Sequence, residues 1–401
     1  MKLLTIAEAR ARMLDGVRPL SAESVSIQQA PGRVLAEAIV APRDQPPFNS
    51  SAMDGWAVRR ADALNAAVDL EIVGDSSAGH GFEGKVGPSE AVRIFTGAAL
   101  PDGADMVVIQ EDAAQEGAKV RVGPLKGEVD FVRAAGGDFH KGDVLLEPGV
   151  RLDAWRLSLA AAAGRATVEV SRRPRVAVLC TGEELVRAPD VPGRFQIYES
   201  NSAGLCALIE SWGGLAQRLE PARDEEAAVI DALADLDVDL IVTVGGASVG
   251  DYDVVKPALG KLGLELKVAS VNIRPGKPTW FGTLGDGRRV LGLPGNPTSA
   301  LVCAELFVRS LVLALQGADP EPPLLNARLV APLAANGSRG HLMRAKLTSS
   351  QDGVLLVEPF ADQDSGMTGV IARADALVIQ PAKAPAAEIG ETVQILRLQR
   401  L

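Results

Sequence analysis

Short apolar runs broken by polar and turn-forming residues dominate the chain, and their period changes along its length. Near the start, Thr5 and Glu8 have capping-box spacing, which predicts a helix opening there. A short alternating segment (Val25, Ile27) and a second apolar stretch from Val34 to Val40 follow, so residues 1–45 read as a scaffold piece. From 46 to 140 the pattern becomes β-like runs cut by Gly, Pro and Asp, namely Ala91–Phe95, Met106–Gln110 and Lys119–Val122, which predicts a small β domain. Leu152 to Gly164 is helical in pattern, with Asp153 as N-cap and Gly164 as stop, and residues 141–172 return to the scaffold.

Between 173 and 318 strands and helices alternate. Arg175–Leu179 leads to a loop and a helix from Asn201 to Trp212, while Val238–Val244 leads to a Gly-rich loop and a segment from Asp253 to Lys261. Such alternation predicts a doubly wound parallel sheet covered on both faces. The most apolar stretch, Pro297 to Leu315, carries Glu305 and Arg309 near its middle and therefore reads as a buried helix, not a membrane span. After the linker from Gln316 to Pro323, residues 323–401 revert to short strands with Gly turns, such as Val354–Val357 and Val393–Leu396. The expected fold class is α/β and β multidomain: a doubly wound α/β domain, a helical scaffold region, a small β domain and a C-terminal β-barrel-like module.

Composition narrows the functions. The 401 residues include 41 Lys and Arg against 51 Asp and Glu, a net charge of -10, so bulk attraction to nucleic acid or an anionic membrane is excluded. Any anion site must be built locally. The three cysteines (Cys180, Cys206, Cys303) are far apart and odd in number, which argues against a disulfide framework or a metal knuckle and for a reducing cytoplasm. Charged residues come too early for a signal peptide. His80, His140 and His341 are isolated, so zinc or iron sites and Ser-His-Asp catalysis lack support.

In an open α/β sheet, ligands bind beyond the carboxyl ends of the strands. Four loops there are rich in small and ionic residues: Thr181–Glu184, Gly245–Asp253, Arg274–Pro278 and Pro294–Pro297; Arg223-Asp224 opens a helix nearby. Gly245 and Gly246 allow a close backbone approach and Ser248 adds a hydroxyl, but the loop is neither a P-loop nor a GxGxxG fingerprint, which disfavours ordinary NTP or dinucleotide binding. Arg274 and Lys277 offer fixed positive charge for an oxyanion or phosphate. The acids Glu184, Asp224, Asp251 and Asp253, with Asp54 and Asp138 in the β domain, supply the hard oxygens that suit Mg²⁺ beside substrate phosphates. For Asp224 and Asp253, helix N-capping is the alternative role.

The segments Pro46–Val58 (containing Ser51-Ala52-Met53-Asp54-Gly55), Thr96-Gly97-Ala98, Gly136-Gly137-Asp138, Thr181–Leu185, Gly245–Gly250, Arg274–Pro278 and Leu293–Pro297 resemble, in that order, the molybdopterin molybdenumtransferase family (MoeA, and the matching domain of gephyrin) over essentially the whole chain. The resemblance implies a molybdopterin-binding α/β domain and the last step of molybdenum cofactor assembly, in which Mg²⁺ and molybdate convert adenylylated molybdopterin to the metal-loaded cofactor with release of AMP. It also implies an elongated homodimer whose cleft lies between the α/β domain of one subunit and the β domains of the other. Contact with the upstream adenylyltransferase and with molybdoenzyme maturation factors is expected, and no nucleic-acid or membrane partner.

The family's functional acids match Asp54, Asp138, Glu184, Asp224 and Asp253, with Glu184, Asp224 and Asp253 as the metal set. Its ligand-contacting positions match Thr96, Gly245, Gly246, Ser248, Arg274, Lys277, Pro294, Pro297, Ser299, Arg339 and Arg344. Many relatives have Asp-Asn-Ser where this chain has Asn49-Ser50-Ser51, Tyr in place of Trp56 and Lys in place of Arg274, and a further family lysine falls on Ser270, three positions from Lys267. The competing readings are a pterin adenylyltransferase acting one step earlier and a non-catalytic dimeric scaffold of the same fold; the Ser-Ala-Met-Asp-Gly segment and flanking β modules weigh against the first, the retained acids against the second.

Overall fold

The computed structural model describes residues 3–64, 66–124, 130–246 and 254–398. Ser248, Asp251 and Asp253 lie outside the described residues. The first helix, Ile6–Leu14, starts as its spacing predicts: the Thr5 hydroxyl accepts from the Glu8 amide at 3.2 Å and the Glu8 carboxylate accepts from the Thr5 amide at 2.8 Å. Its buried face, Ala9 and Met13, packs on the core of the α/β unit. Strand Ala22–Ser26 pairs antiparallel with Thr167–Ser171, and Ile39–Val40 with Val144–Leu146. Leu35, Ile39, Leu152, Ala160 and Val170 form one cluster there. The helix Ala154–Ala162 of that unit is capped by Asp153, whose carboxylate accepts from the Arg156 amide.

The β domain between these halves holds a six-stranded sheet in the order Met106–Ile109, Gly55–Val58, Glu90–Ile94, Val68–Ser76, Lys119–Val122, Ala113–Glu116. Gly55 is dictated by space, because a Cβ at that position would lie 1.9 Å from the Val108 carbonyl oxygen of the neighbouring strand.

The α/β sheet runs Leu215–Arg218, Arg175–Cys180, Leu240–Val244, Arg289–Leu293, Trp280–Thr283, Glu265–Val268. The first four strands are parallel and Trp280–Thr283 alone runs against them, pairing antiparallel with both of its neighbours, so the sheet is mixed where the alternating pattern predicts a parallel one. The cause is local. Only residues 284–288, turning at Asp286-Gly287, join Trp280–Thr283 to Arg289–Leu293, which is enough for a hairpin and far too short for a crossover. Burial on both faces follows the strand period: Val176, Val178 and Cys180 face the cluster with Leu205, Ile209 and Phe307, while Ala177 and Leu179 face Val229, Leu233 and Leu259. Pro297–Leu315 is a mostly buried helix, as its two central charges predict, with a π turn at Ala304–Val308.

In the C-terminal module the strands Gly340–Ser349, Leu355–Pro359, Leu324–Leu329, Thr392–Arg397 and Ala376–Gln380 pair in sequence, and the last pairs back onto the first, which closes a small barrel. A two-residue strand from the α/β unit, Ile273–Arg274, adds in parallel to Gly340–Ser349.

Gly55→Ala is expected to lower thermal stability by about 1–3 kcal/mol through this clash. Gly369→Ala, in the helix Thr368–Arg373 with open space around its Cβ, should be neutral or slightly stabilising. Thermal unfolding followed by circular dichroism checks both.

Candidate active site

Beyond the carboxyl ends of Arg175–Cys180, Leu240–Val244 and Arg289–Leu293 lies a cleft of about 450 Å³. Four of the five predicted loops meet in it, contributing Thr181, Gly182 and Glu184, then Asp224, then Gly245 and Gly246, then Gly295, Asn296 and Pro297. The convergence needs glycine. Gly245 has φ +96°, and a Cβ on it would lie 2.6 Å from the Thr181 carbonyl oxygen. Gly182 leaves the space that the Glu184 carboxylate fills. Asn201 donates to the Gly295 carbonyl at 2.8 Å, while its buried Oδ1 and the Thr181 hydroxyl find no partner among the described residues. Unsatisfied polar atoms on a cleft wall suit a polar ligand.

Asp224 does not cap a helix: the N-cap of Glu226–Leu233 is Glu225. Glu184 and Asp224 therefore stand as two carboxylates on one cleft. Among the described residues no group of three His, Cys, Asp or Glu could hold a metal ion, and Asp253 is not among them. Two carboxylates suit an ion that also takes substrate phosphates and water, as Mg²⁺ does.

The remaining predicted residues fall in two other places. In the β domain, Asp54 accepts from the Thr96 amide at 2.7 Å and the Thr96 hydroxyl at 2.8 Å; these bonds, with Arg93 nearby, hold its carboxyl below the usual range. Asp138 is exposed in the turn after Gly136, its amide bonded to the Gln45 carbonyl. Neither acid lines the cleft. Arg274 sits beside the barrel, where its Nη2 lies 2.7 Å from His341 Nδ1. Burial, then Arg274, Arg344 and Arg339, push the His341 imidazole down to about 4, so it is neutral at pH 7. Arg344 is fully buried; it donates to the Asp364 carbonyl, and its Nε and Nη1 have no hydrogen-bond partner among the described residues. Asn296 on the cleft bonds Ser365, and the buried Ser299 follows Thr298, which bonds the backbone of Ser365 and Met367. Segment 364–367 thus ties the cleft rim to Arg344. Lys277 is exposed and Pro294 buried.

The family described as MoeA N-terminal region (domain I and II) matches residues 4–164, the probable molybdopterin binding domain matches 177–314, and the MoeA C-terminal region (domain IV) matches 326–398. A protein named molybdopterin molybdenumtransferase from Haemophilus influenzae is 34% identical, with 98% of each chain covered. The chain belongs to the molybdopterin molybdenumtransferase family. A relative of the same name from Nostoc sp. is 34% identical over 94% of this chain and 88% of its own. Two crystal structures of the molybdopterin biosynthesis moeA protein from Pyrococcus horikoshii superpose with TM-scores of 0.82 and 0.86, at 32% and 27% identity, over essentially all of both chains.

In this family member a cleft residue that motif reasoning misses is Glu199. Its carboxylate is enclosed and accepts from the Ser202 amide at 2.7 Å, the Ser202 hydroxyl, Arg218 at 2.8 Å and the Cys180 thiol at 3.3 Å. The position, two residues before helix Asn201–Ser211, is the only local signal that could have found it. Burial alone would push this carboxyl up; the Ser202, Arg218 and Cys180 bonds outweigh it and hold it at about 2. The folded value lies below the ordinary 4.5, so the contribution to stability is complete above about pH 4.5 and is lost as pH falls toward 2. Glu199→Gln should lower stability at pH 7 by roughly 1.5–3 kcal/mol and flatten the acid side of the melting-temperature profile; an unchanged profile would remove Glu199 as the anchor of this wall.

Proposed function

We propose that the chain carries out Mg²⁺-dependent insertion of molybdate into adenylylated molybdopterin with release of AMP. The observation that carries this reading is the pairing of Glu184 and Asp224 on a cleft walled by the glycine-lined strand ends and rimmed by Asn296 and Pro297. Family membership and the names of the relatives support the pterin and molybdenum as the substrate pair.

In the proposed reaction, water adds to a phosphorus of the pterin–AMP anhydride, the P–O–P bridge breaks, and AMP leaves while the pterin keeps its phosphate. Little covalent chemistry is asked of the protein, which acts by positioning and charge neutralisation. The Gly182, Gly245 and Gly246 backbone admits the substrate closely, Asn201 Oδ1 offers it an acceptor, and Arg274, Lys277 and Arg339 hold the oxyanions. Mg²⁺, held by Glu184 and Asp224 with Asp253 as a third candidate, would neutralise the adenylate phosphates. Asp54, ionised and fixed by Thr96, would orient water or the metal. Because Asp54 and Asp138 do not line the cleft of their own chain, a homodimer that brings them from a second copy completes the site.

With purified protein, Mg²⁺ and molybdate, AMP release from adenylylated molybdopterin is expected, and chelation of the metal should abolish it. Asp54→Ala and Glu184→Gln should each slow release about 10²–10³-fold. Release at the wild-type rate from both variants would overturn the assignment, as would an inactive wild-type protein.

A further inference from the structure

Arg274 ends the short strand that joins the α/β unit to the barrel, and its register partner there is His341. The guanidinium cannot give up its proton, so at 2.7 Å from Arg274 Nη2 the His341 Nδ1 is the acceptor and the imidazole keeps its hydrogen on Nε2. Among the described residues no carboxylate lies within salt-bridge distance of Arg274, and the residue is exposed. The charges around the ring are the cations Arg274, Arg339 and Arg344, and the carboxylates Asp362 and Asp364 face Arg344. The residue opposite His341 on strand Ala376–Gln380 is the uncharged Gln380.

We propose that His341 is a positioning residue that aims the Arg274 guanidinium as an oxyanion-binding fork, and so sets the affinity of this site for a tetrahedral dianion. The inference rests on the oxyanion role given to Arg274 above. An exposed arginine with no carboxylate neighbour is free to swing through many rotamers, and ordering it on binding costs affinity. One hydrogen bond to the imidazole of a residue that is 6% exposed lowers that cost, and Nη2 keeps its second hydrogen for two-point contact along the edge it shares with Nη1 or with Nε. A lysine at position 274 would be a point charge with no fork to aim, so it would gain little from the same tether.

The test measures binding of molybdate alone to the purified full-length protein by calorimetry. His341→Ala should weaken binding roughly tenfold, and His341→Gln, which keeps an acceptor, should stay within about threefold of wild type. In an Arg274→Lys background the further His341→Ala change should alter binding less than about twofold. In turnover, half-saturating molybdate should rise while the maximal rate of AMP release holds. His341→Leu, which fills the volume without the acceptor, replaces the alanine variant if that one fails to fold. Wild-type binding in the Ala or Leu variant overturns the proposal, and so does equal loss in the Gln and Leu variants. Failure of the oxyanion reading looks different: the wild type binds no molybdate, or Arg274→Ala binds it as well as wild type.

Discussion

Backbone proximity at the strand ends is the constraint on which the cleft depends. Thr181 and Gly245 leave adjacent parallel strands so close that any side chain at 245 would collide with the Thr181 carbonyl. Glycine there, and at 182, lets the loops fold over the sheet edge without filling the space above it. Glu184, Asp224 and Asn201 can then line a common hollow, and Asn201 holds the fourth loop through Gly295. A bulkier loop would push these elements apart, and the carboxylates would face bulk water.

Charge is organised against the sign of the whole molecule. In a chain of net charge -10, Arg274, Arg339 and Arg344 gather where the α/β unit is stitched to the barrel by a two-residue strand. Segment 364–367, bonded to both Arg344 and Asn296, puts that positive region in continuity with the cleft rim. Asp54 and its Thr96 bonds belong to a separate surface of the β domain. A substrate with phosphate and oxyanion groups on an otherwise polar body fits such a division of sites.

Local signals were legible wherever donor and acceptor lie a few residues apart. The Thr5 and Glu8 cap, the Asp153 cap and the burial of Pro297–Leu315 follow from neighbours in the chain. The mixed sheet was harder to see because strand direction depends on connection length, and the apolar runs 280–283 and 289–293 look alike whichever way they point. Glu199 and His341 were missed for a related reason. Their partners Cys180, Arg218 and Arg274 lie 19, 19 and 67 residues away, and no motif links them.

What the sequence determined by itself was the order of the modules, the helix starts, the glycines at the strand tips and, through seven motifs in sequence, the family. Each is a property of residue type and near spacing, which the chain keeps whether folded or not. Only the tertiary structure decided which loops share a cleft, that Arg344 is enclosed while Arg274 stays open, and that an imidazole faces that open arginine. Those facts depend on strand pairing and packing between distant segments, where burial and the nearest charge set what each side chain can do.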